Sequence, residues 1–365
     1  MGDLIVTTAA LEAACEAARS GGYLSLDTEF VWRQTYLPQL GIVQLGAGGE
    51  CRAVDCAKGL DQSPLGAAVA DESIVKILHD ARQDLALVKR YTGASPKNVF
   101  DTQLAAAFAG FPSGIGLQKL LFEALDIGLA KTETCTDWTR RPLSEAQIRY
   151  ALDDVRHLAA LREELLRRAD GLGTRAWLEE EMTRYNDVAL YDECVPSEMW
   201  RRVKLRRAKL DRRGFAVLRA AAELREKLAM EWNQPRAWLG TDESLVEMAE
   251  RGRVGRLVHR LGGGRAAQLR ALYEEAVAAA LETPEDECPE DPRVHYISEV
   301  LDAAEKAVDW LAKRSAELHV DHAAIANRAT VTAFVDNVAD ESNPLACGWR
   351  WEAVGREMAE RFGVD

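Results

Sequence analysis

The chain has no apolar run near the roughly 18 residues a membrane-spanning helix requires, so no such helix is expected. Cysteine is sparse: Cys15, Cys51, Cys56, Cys135, Cys194, Cys288 and Cys347 are scattered, and no CxxC occurs. An odd, dispersed set of this kind provides neither a disulfide framework nor a structural zinc site, and reduced thiols are expected. The six histidines include no HExxH, which argues against a histidine-based metal centre. No short-period repeat is present. Positive charge is also short, with 46 Lys and Arg against 59 Asp and Glu, a net charge of −13. A protein that coats nucleic acid over its whole surface is therefore excluded. The first residues carry Asp3 and Glu12 where a signal peptide would be basic, and Met-Gly is not followed by the Ser or Thr of a myristoylation motif. A cytoplasmic location is the expectation.

What is present is apolar residue enough, 47% of 365, to build more than one core. Charge is distributed in blocks. Residues 1–200 sum to −10, residues 201–281 to +8 and residues 282–365 to −11. A basic middle between acidic flanks suits local contact with a polyanion.

The first 110 residues read as an α/β layer with an antiparallel start. "YLSLDTEF", "LGIVQLG" and "ECRAVDC" are short, β-prone runs separated by turn residues, including a Gly-Gly before Glu50. "SIVKILHD" and "NVFDT" read as further strands around a helix "ARQDLALVKRYTG" that stops at Gly93. From about residue 115 the pattern is helical almost throughout. In "PLSEAQIRYALDDVRHLAALREELLRRADG", Ser144 and Gln147 form a capping box, and Gly171 is the expected stop. Polar stretches at "NDVALYDECVPSEMW" and "ETPEDECPEDP" divide the chain into expected segments 1–195, 196–283 and 290–365.

Asp27 and Glu29 interrupt the apolar strand "YLSLDTEF". The period of two in a strand puts both carboxylates on one side, where they suit a hard cation such as Mg²⁺ or Mn²⁺. A DxE pair alone fits a solvent-facing strand edge more readily than a metal site. Tyr150 and Asp154, four apart, share one helix face. Asp84 falls on the helix after a strand. Each is ordinary in isolation, but together four carboxylates and a phenol match the needs of two-metal phosphodiester hydrolysis. Tyr150 is then suited to orient the attacking water.

The blocks "LDTEFVWRQTYLPQLGIVQLG", "HDARQDL" with "FDTQLAAAF", and "TDWTRRPLSEAQIRYALDDV" resemble ribonuclease D, in the exonuclease superfamily with an Asp-Glu-Asp-Asp site. The tyrosine four residues before the last Asp resembles the tyrosine-bearing subclass. This resemblance implies a ribonuclease H-like mixed α/β sheet with flanking helices, followed by two small all-α domains. It implies metal ligation by Asp27, Glu29, Asp84 and Asp154, two divalent ions (Mg²⁺ or Mn²⁺) per site, and catalysis by these residues with Tyr150. The terminal 3′-hydroxyl would be held by Glu29 and the backbone at Thr28. Gln44, His79, Lys131 and Arg141 are further candidates for substrate contact, although the first two could equally finish their strands and the last two be solvated. Trp138 reads as a packing anchor. "WNQPRAWLGTDESLVEMA" and "LACGWRWEAVG" resemble two copies of the helicase-and-ribonuclease-D C-terminal module.

Eight Arg or Lys and one Asp lie between Arg201 and Arg213, either a solvated helix face or a phosphate-binding strip. The implied activity is 3′→5′ hydrolysis of RNA to 5′-mononucleotides, trimming transfer-RNA precursors with single-stranded 3′ ends. A DNA 3′→5′ exonuclease and a non-catalytic RNA-binding protein remain alternatives. No membrane or obligate protein partner is expected, and a monomer is the default.

Overall fold

The structure, a computed structural model, describes residues 3–129, 136–192, 194–257 and 259–364. By its contacts the chain divides into two units. Met1–Phe30, Leu40–Asp192 and Tyr296–Asp365 form the first; Val31–Gln39 and Glu193–His295 form the second.

The first unit is built on a six-stranded mixed sheet. Its strands are β1 (Leu4–Ile5), β2 (Tyr23–Val31), β3 (Gln39–Ala47), β4 (Glu50–Asp55), β5 (Val75–Leu78) and β6 (Val99–Asp101), in the order β1-β4-β3-β2-β5-β6. The two-residue turn between β3 and β4 is Gly48-Gly49, with φ of 58° and 82°, a conformation that glycine adopts without strain. It sets the antiparallel register that pairs Ala47 with Glu50. β5 pairs in parallel with both β2 and β6. Their carboxyl ends therefore lie along one edge, where ligands of α/β sheets gather.

Both faces of the sheet are covered. Leu24, Leu26, Val43 and Leu45 pack with Leu11 of the helix Thr8–Gly21 and Leu85 of the helix Ala81–Thr92. Ile77 and Phe100 face a second core with Phe108, Leu158, Leu161 and Leu165. That core also takes in Phe334, Trp349 and Met358, so the C-terminal helices bury their apolar residues with the sheet unit. Glu181, 8% exposed, ties them in by accepting hydrogen bonds from Trp349 Nε1 (3.1 Å) and Arg350 Nη1 (2.6 Å).

The predicted long helix is in fact two, Glu145–Arg156 and Leu158–Leu172, broken at His157. The break lets the first half pack on β4 and the second on β5. The capping box at Ser144 and Gln147 forms. The stop is Gly173, with φ 72°, rather than Gly171. β1 has no counterpart among the expected strands; two residues carry too little pattern.

The second unit centres on the helix Arg212–Glu231, packed by Asp242–Arg251 and Gly263–Leu281 around Phe215, Leu218, Leu245 and Tyr273. Its segment Val31–Gln39 is anchored by Tyr36. The Tyr36 phenol donates to the buried Glu226 carboxylate, and its backbone N–H donates to Asn233 Oδ1 at 3.1 Å. The basic run is not a helix face: a 3₁₀ turn ends at Arg202 and the helix begins at Arg212. Arg202, Lys204, Arg207 and Lys209 are exposed, and none forms an ion pair among the described residues.

No helix among the described residues is long and apolar enough to cross a membrane, and the described cysteines are free thiols.

Candidate active site

Three of the four expected carboxylates converge. Asp27 and Glu29 project from β2 and Asp154 from the helix Glu145–Arg156, and one oxygen of each lies within 4.8 Å of the others. Asp84, in the first turn of its helix, stands outside this triplet, with the Thr28 hydroxyl donating to its Oδ1. It is still close enough for its charge to act on Asp27. Among the described residues, no Lys or Arg forms an ion pair with any of the four.

Crowding and burial have a direct electrostatic result. Burial, then the charges of Asp84, Asp154 and Glu29, hold Asp27 well above the usual carboxylate range. Burial with Asp154 and Asp84 pushes Glu29 up to about 8. Burial and Asp153 push Asp154 up to about 7. Asp84 is pushed up to about 6 by burial, against the Thr28 hydrogen bond, which lowers it. Like charges this close cannot all ionise without a counter-charge. Hard oxygen donors without a protein cation fit a divalent ion.

Tyr150 lies one turn before Asp154. Its pKa is raised by burial and by Asp154, Glu29 and Asp27, so the phenol keeps its proton. The Trp138 ring, 4% exposed, stacks on it with centroids 6.2 Å apart and planes at 29°. Trp138 is thus held where packing was expected. Its loop lies directly on β3: a Cβ on Gly41 would come within 2.5 Å of the Trp138 carbonyl oxygen, so a side chain there would push the loop away.

Of the remaining candidates, Gln44, His79 and Arg141 are placed differently from the expectation of substrate contact. Gln44 is fully buried and its Nε2 donates to Asp27 Oδ2 at 3.1 Å, so it supports a carboxylate from behind. Both ring nitrogens of His79 are engaged within the protein, by the Thr102 hydroxyl and the Ile115 carbonyl oxygen, each at 3.0 Å. Neither is left for RNA. Arg141 corrects the expectation most sharply. Its guanidinium is consumed by Asp55 and by the Gly41, Trp138 and Arg140 carbonyl oxygens, and has no donor free for phosphate. Thr28 is 6% exposed with its hydroxyl spent on Asp84. Lys131 lies outside the described residues. Asp55 and Asp101 were not among the residues the sequence singled out. For Asp101 a signal existed: "FDTQLAAAF" is an acidic N-cap pattern before a helical run.

A mixed sheet with carboxylates from β2 and two later helices fits metal-dependent phosphodiester hydrolysis, and the family model described as "3'-5' exonuclease" matches residues 3–170. Among curated relatives, ribonuclease D of Acidiphilium cryptum is 36% identical over 375 residues, covering 99% of this chain and 93% of its own. Ribonuclease D of Desulfotalea psychrophila is 43% identical over 248 residues, 68% of this chain and 66% of its own. The crystal structure of Escherichia coli RNase D, an exoribonuclease involved in structured RNA processing, matches with a TM-score of 0.83 and 27% identity, covering 99% of both chains. The chain belongs to the ribonuclease D family of 3′–5′ exoribonucleases. Its sheet and flanking helices are the ribonuclease H-like domain of that family, followed by helical segments. A divalent cation is the cofactor that such a site uses.

Proposed function

We propose that the protein shortens RNA from single-stranded 3′ ends, one 5′-mononucleotide at a time, with transfer-RNA precursors among its substrates. The observation that carries this reading is the convergence of Asp27, Glu29 and Asp154 within 4.8 Å, with Tyr150 on the same helix as Asp154. Asp27, Glu29 and Asp154 would hold one Mg²⁺ or Mn²⁺, and Asp27 with Asp84 a second. When bound, such ions supply a nucleophile from water at neutral pH and neutralise charge on the leaving oxygen.

The chain's own residues do the rest. Tyr150, a neutral phenol, can accept from and donate to a water and so aim it at the scissile phosphorus. Gln44 donates to one Asp27 oxygen and so fixes the orientation of that carboxylate. Glu29 and the Thr28 backbone would receive the terminal 3′-hydroxyl, which restricts attack to the last phosphodiester. The exposed cations Arg202, Lys204, Arg207 and Lys209 supply a sequence-independent hold on the RNA backbone. The helices of the second unit act as a nucleic-acid-binding module of the helicase-and-ribonuclease-D type. The strongly acidic C-terminal segment is a divergent second copy with a structural role, its apolar residues buried with the sheet unit. The protein works as a monomer in the cytoplasm.

The test is incubation with a 3′-extended transfer RNA and a DNA strand of matched sequence, with and without Mg²⁺ or Mn²⁺. Stepwise shortening of the RNA that needs metal is expected. Faster digestion of the DNA would overturn the RNA assignment, and binding without any metal-stimulated product would overturn the enzyme.

A further inference from the structure

Asp101, the last residue of β6 and 3% exposed, accepts hydrogen bonds from five donors. Two are backbone N–H groups at the start of the helix that carries Asp84: Asp80 at 3.1 Å and Ala81 at 3.0 Å. Two more, Gln103 at 2.8 Å and Leu104 at 3.3 Å, open the helix Thr102–Phe108. The fifth is the Tyr185 hydroxyl, at 2.5 Å.

The helix Ala81–Thr92 has no cap of its own. The residue at its N-cap, Asp80, makes no side-chain capping bond and sits in the left-handed region at φ 59°. Its first amides would be orphaned without an outside acceptor. Asp101 reaches them because parallel pairing of β5 and β6 sets it beside Leu78, three residues before the helix begins. The helix therefore borrows its cap from the next strand. The first turn so fixed contains Asp84, three residues after the capped Ala81, and the Asp84 carboxylate meets Thr28.

We propose that Asp101, clamped by Tyr185, is a positioning residue for the metal site: it sets the first turn of the Asp84 helix and thereby where the Asp84 carboxylate stands. This rests on the metal-site reading above. Asp101→Asn replaces one acceptor oxygen with an NH₂ group facing N–H donors, while Tyr185→Phe removes only the clamp.

Both variants, Asp84→Asn and the unaltered protein would be titrated with Mn²⁺ by calorimetry in the absence of RNA, with circular dichroism to verify folding. Support of a ligand through its neighbours is worth about 10–100-fold in metal affinity. Asp101→Asn should weaken Mn²⁺ binding by about 10-fold and Tyr185→Phe by less. In turnover assays kcat should fall while KM for RNA stays within about twofold. If Asp84→Asn binds Mn²⁺ normally, the metal-site reading fails. If Asp84→Asn loses affinity while folded Asp101→Asn does not, the positioning role is overturned. Should Asp101→Asn not fold, Tyr185→Phe decides, and unchanged Mn²⁺ affinity in that variant overturns the proposal.

Discussion

Arg141 grips Asp55 across 86 residues of chain: Nε lies 3.0 Å from both carboxylate oxygens and Nη2 lies 2.6 Å from Oδ1. Asp55 is 1% exposed, and the same guanidinium holds three backbone carbonyl oxygens, two of them in the Trp138 loop and one on β3. The pair fastens that loop to the sheet beside the Tyr150 ring. Removing Arg141 leaves Asp55 as a buried charge without its partner, which costs about 3–5 kcal/mol. Removing Asp55 costs less, because the guanidinium left behind is partly exposed and still held by three carbonyl oxygens. Arg141→Ala should lower the unfolding free energy measured by chemical denaturation by this order, Asp55→Ala by less, and both should reduce kcat. A melting curve like that of the unaltered protein would show the latch to be dispensable.

Asp27→Asn separates catalysis from stability. Loss of a ligand should cost more than the roughly 10–100-fold seen when only a ligand's support is lost, so RNA shortening should fall by at least about 100-fold. The metal-free variant should nevertheless melt higher, because Asp27 no longer repels Asp84, Asp154 and Glu29. Each kcal/mol of repulsion relieved raises the midpoint by about 2–4 °C for a domain of this size. Thermal melts in EDTA read this directly.

The raised carboxylates make metal-free stability pH-dependent. Unfolded carboxylates titrate near pH 4, whereas Asp84, Asp154 and Glu29 titrate at about 6, 7 and 8 in the folded chain. The native state thus binds more protons than the unfolded state across this window. Their contribution is complete below about pH 4 and is lost as pH rises through 6 to 8. A bound cation favours the ionised forms, so the rise in melting temperature on adding Mg²⁺ should be larger at pH 8 than at pH 6. Scanning fluorimetry in EDTA and in Mg²⁺ at both values would measure it. Equal shifts at the two values would contradict the charge crowding.

Tyr150→Phe keeps the ring stacked on Trp138 and removes only the hydroxyl. Melting should be nearly unchanged and KM for RNA within about twofold, while kcat drops by about 100-fold, the low end for a positioned proton-handling group. Single-turnover assays with excess enzyme would separate this loss from product release.

Replacing Arg202, Lys204, Arg207 and Lys209 together by Gln should raise KM for RNA without changing kcat. The slope of log affinity against log salt should flatten by about 0.7 for each phosphate that the protein no longer neutralises. Filter binding at several salt concentrations gives the slope, and an unaltered slope would remove these cations from the RNA interface.

The sequence by itself determined what depends on neighbours in the chain. Period two sets Asp27 and Glu29 on one side of β2, the glycine pair bends β3 into β4, Ser144 and Gln147 cap their helix, and spacing of four aligns Tyr150 with Asp154. Only the tertiary structure decided the long-range partners. It turned Arg141 inward to Asp55, filled both nitrogens of His79, set Gln44 behind Asp27 and made Asp101 the cap of a helix that starts 20 residues earlier. The reason is physical: local spacing fixes the direction in which a side chain leaves its element. Which donor or acceptor it meets is settled by elements that the sheet brings together from far along the chain.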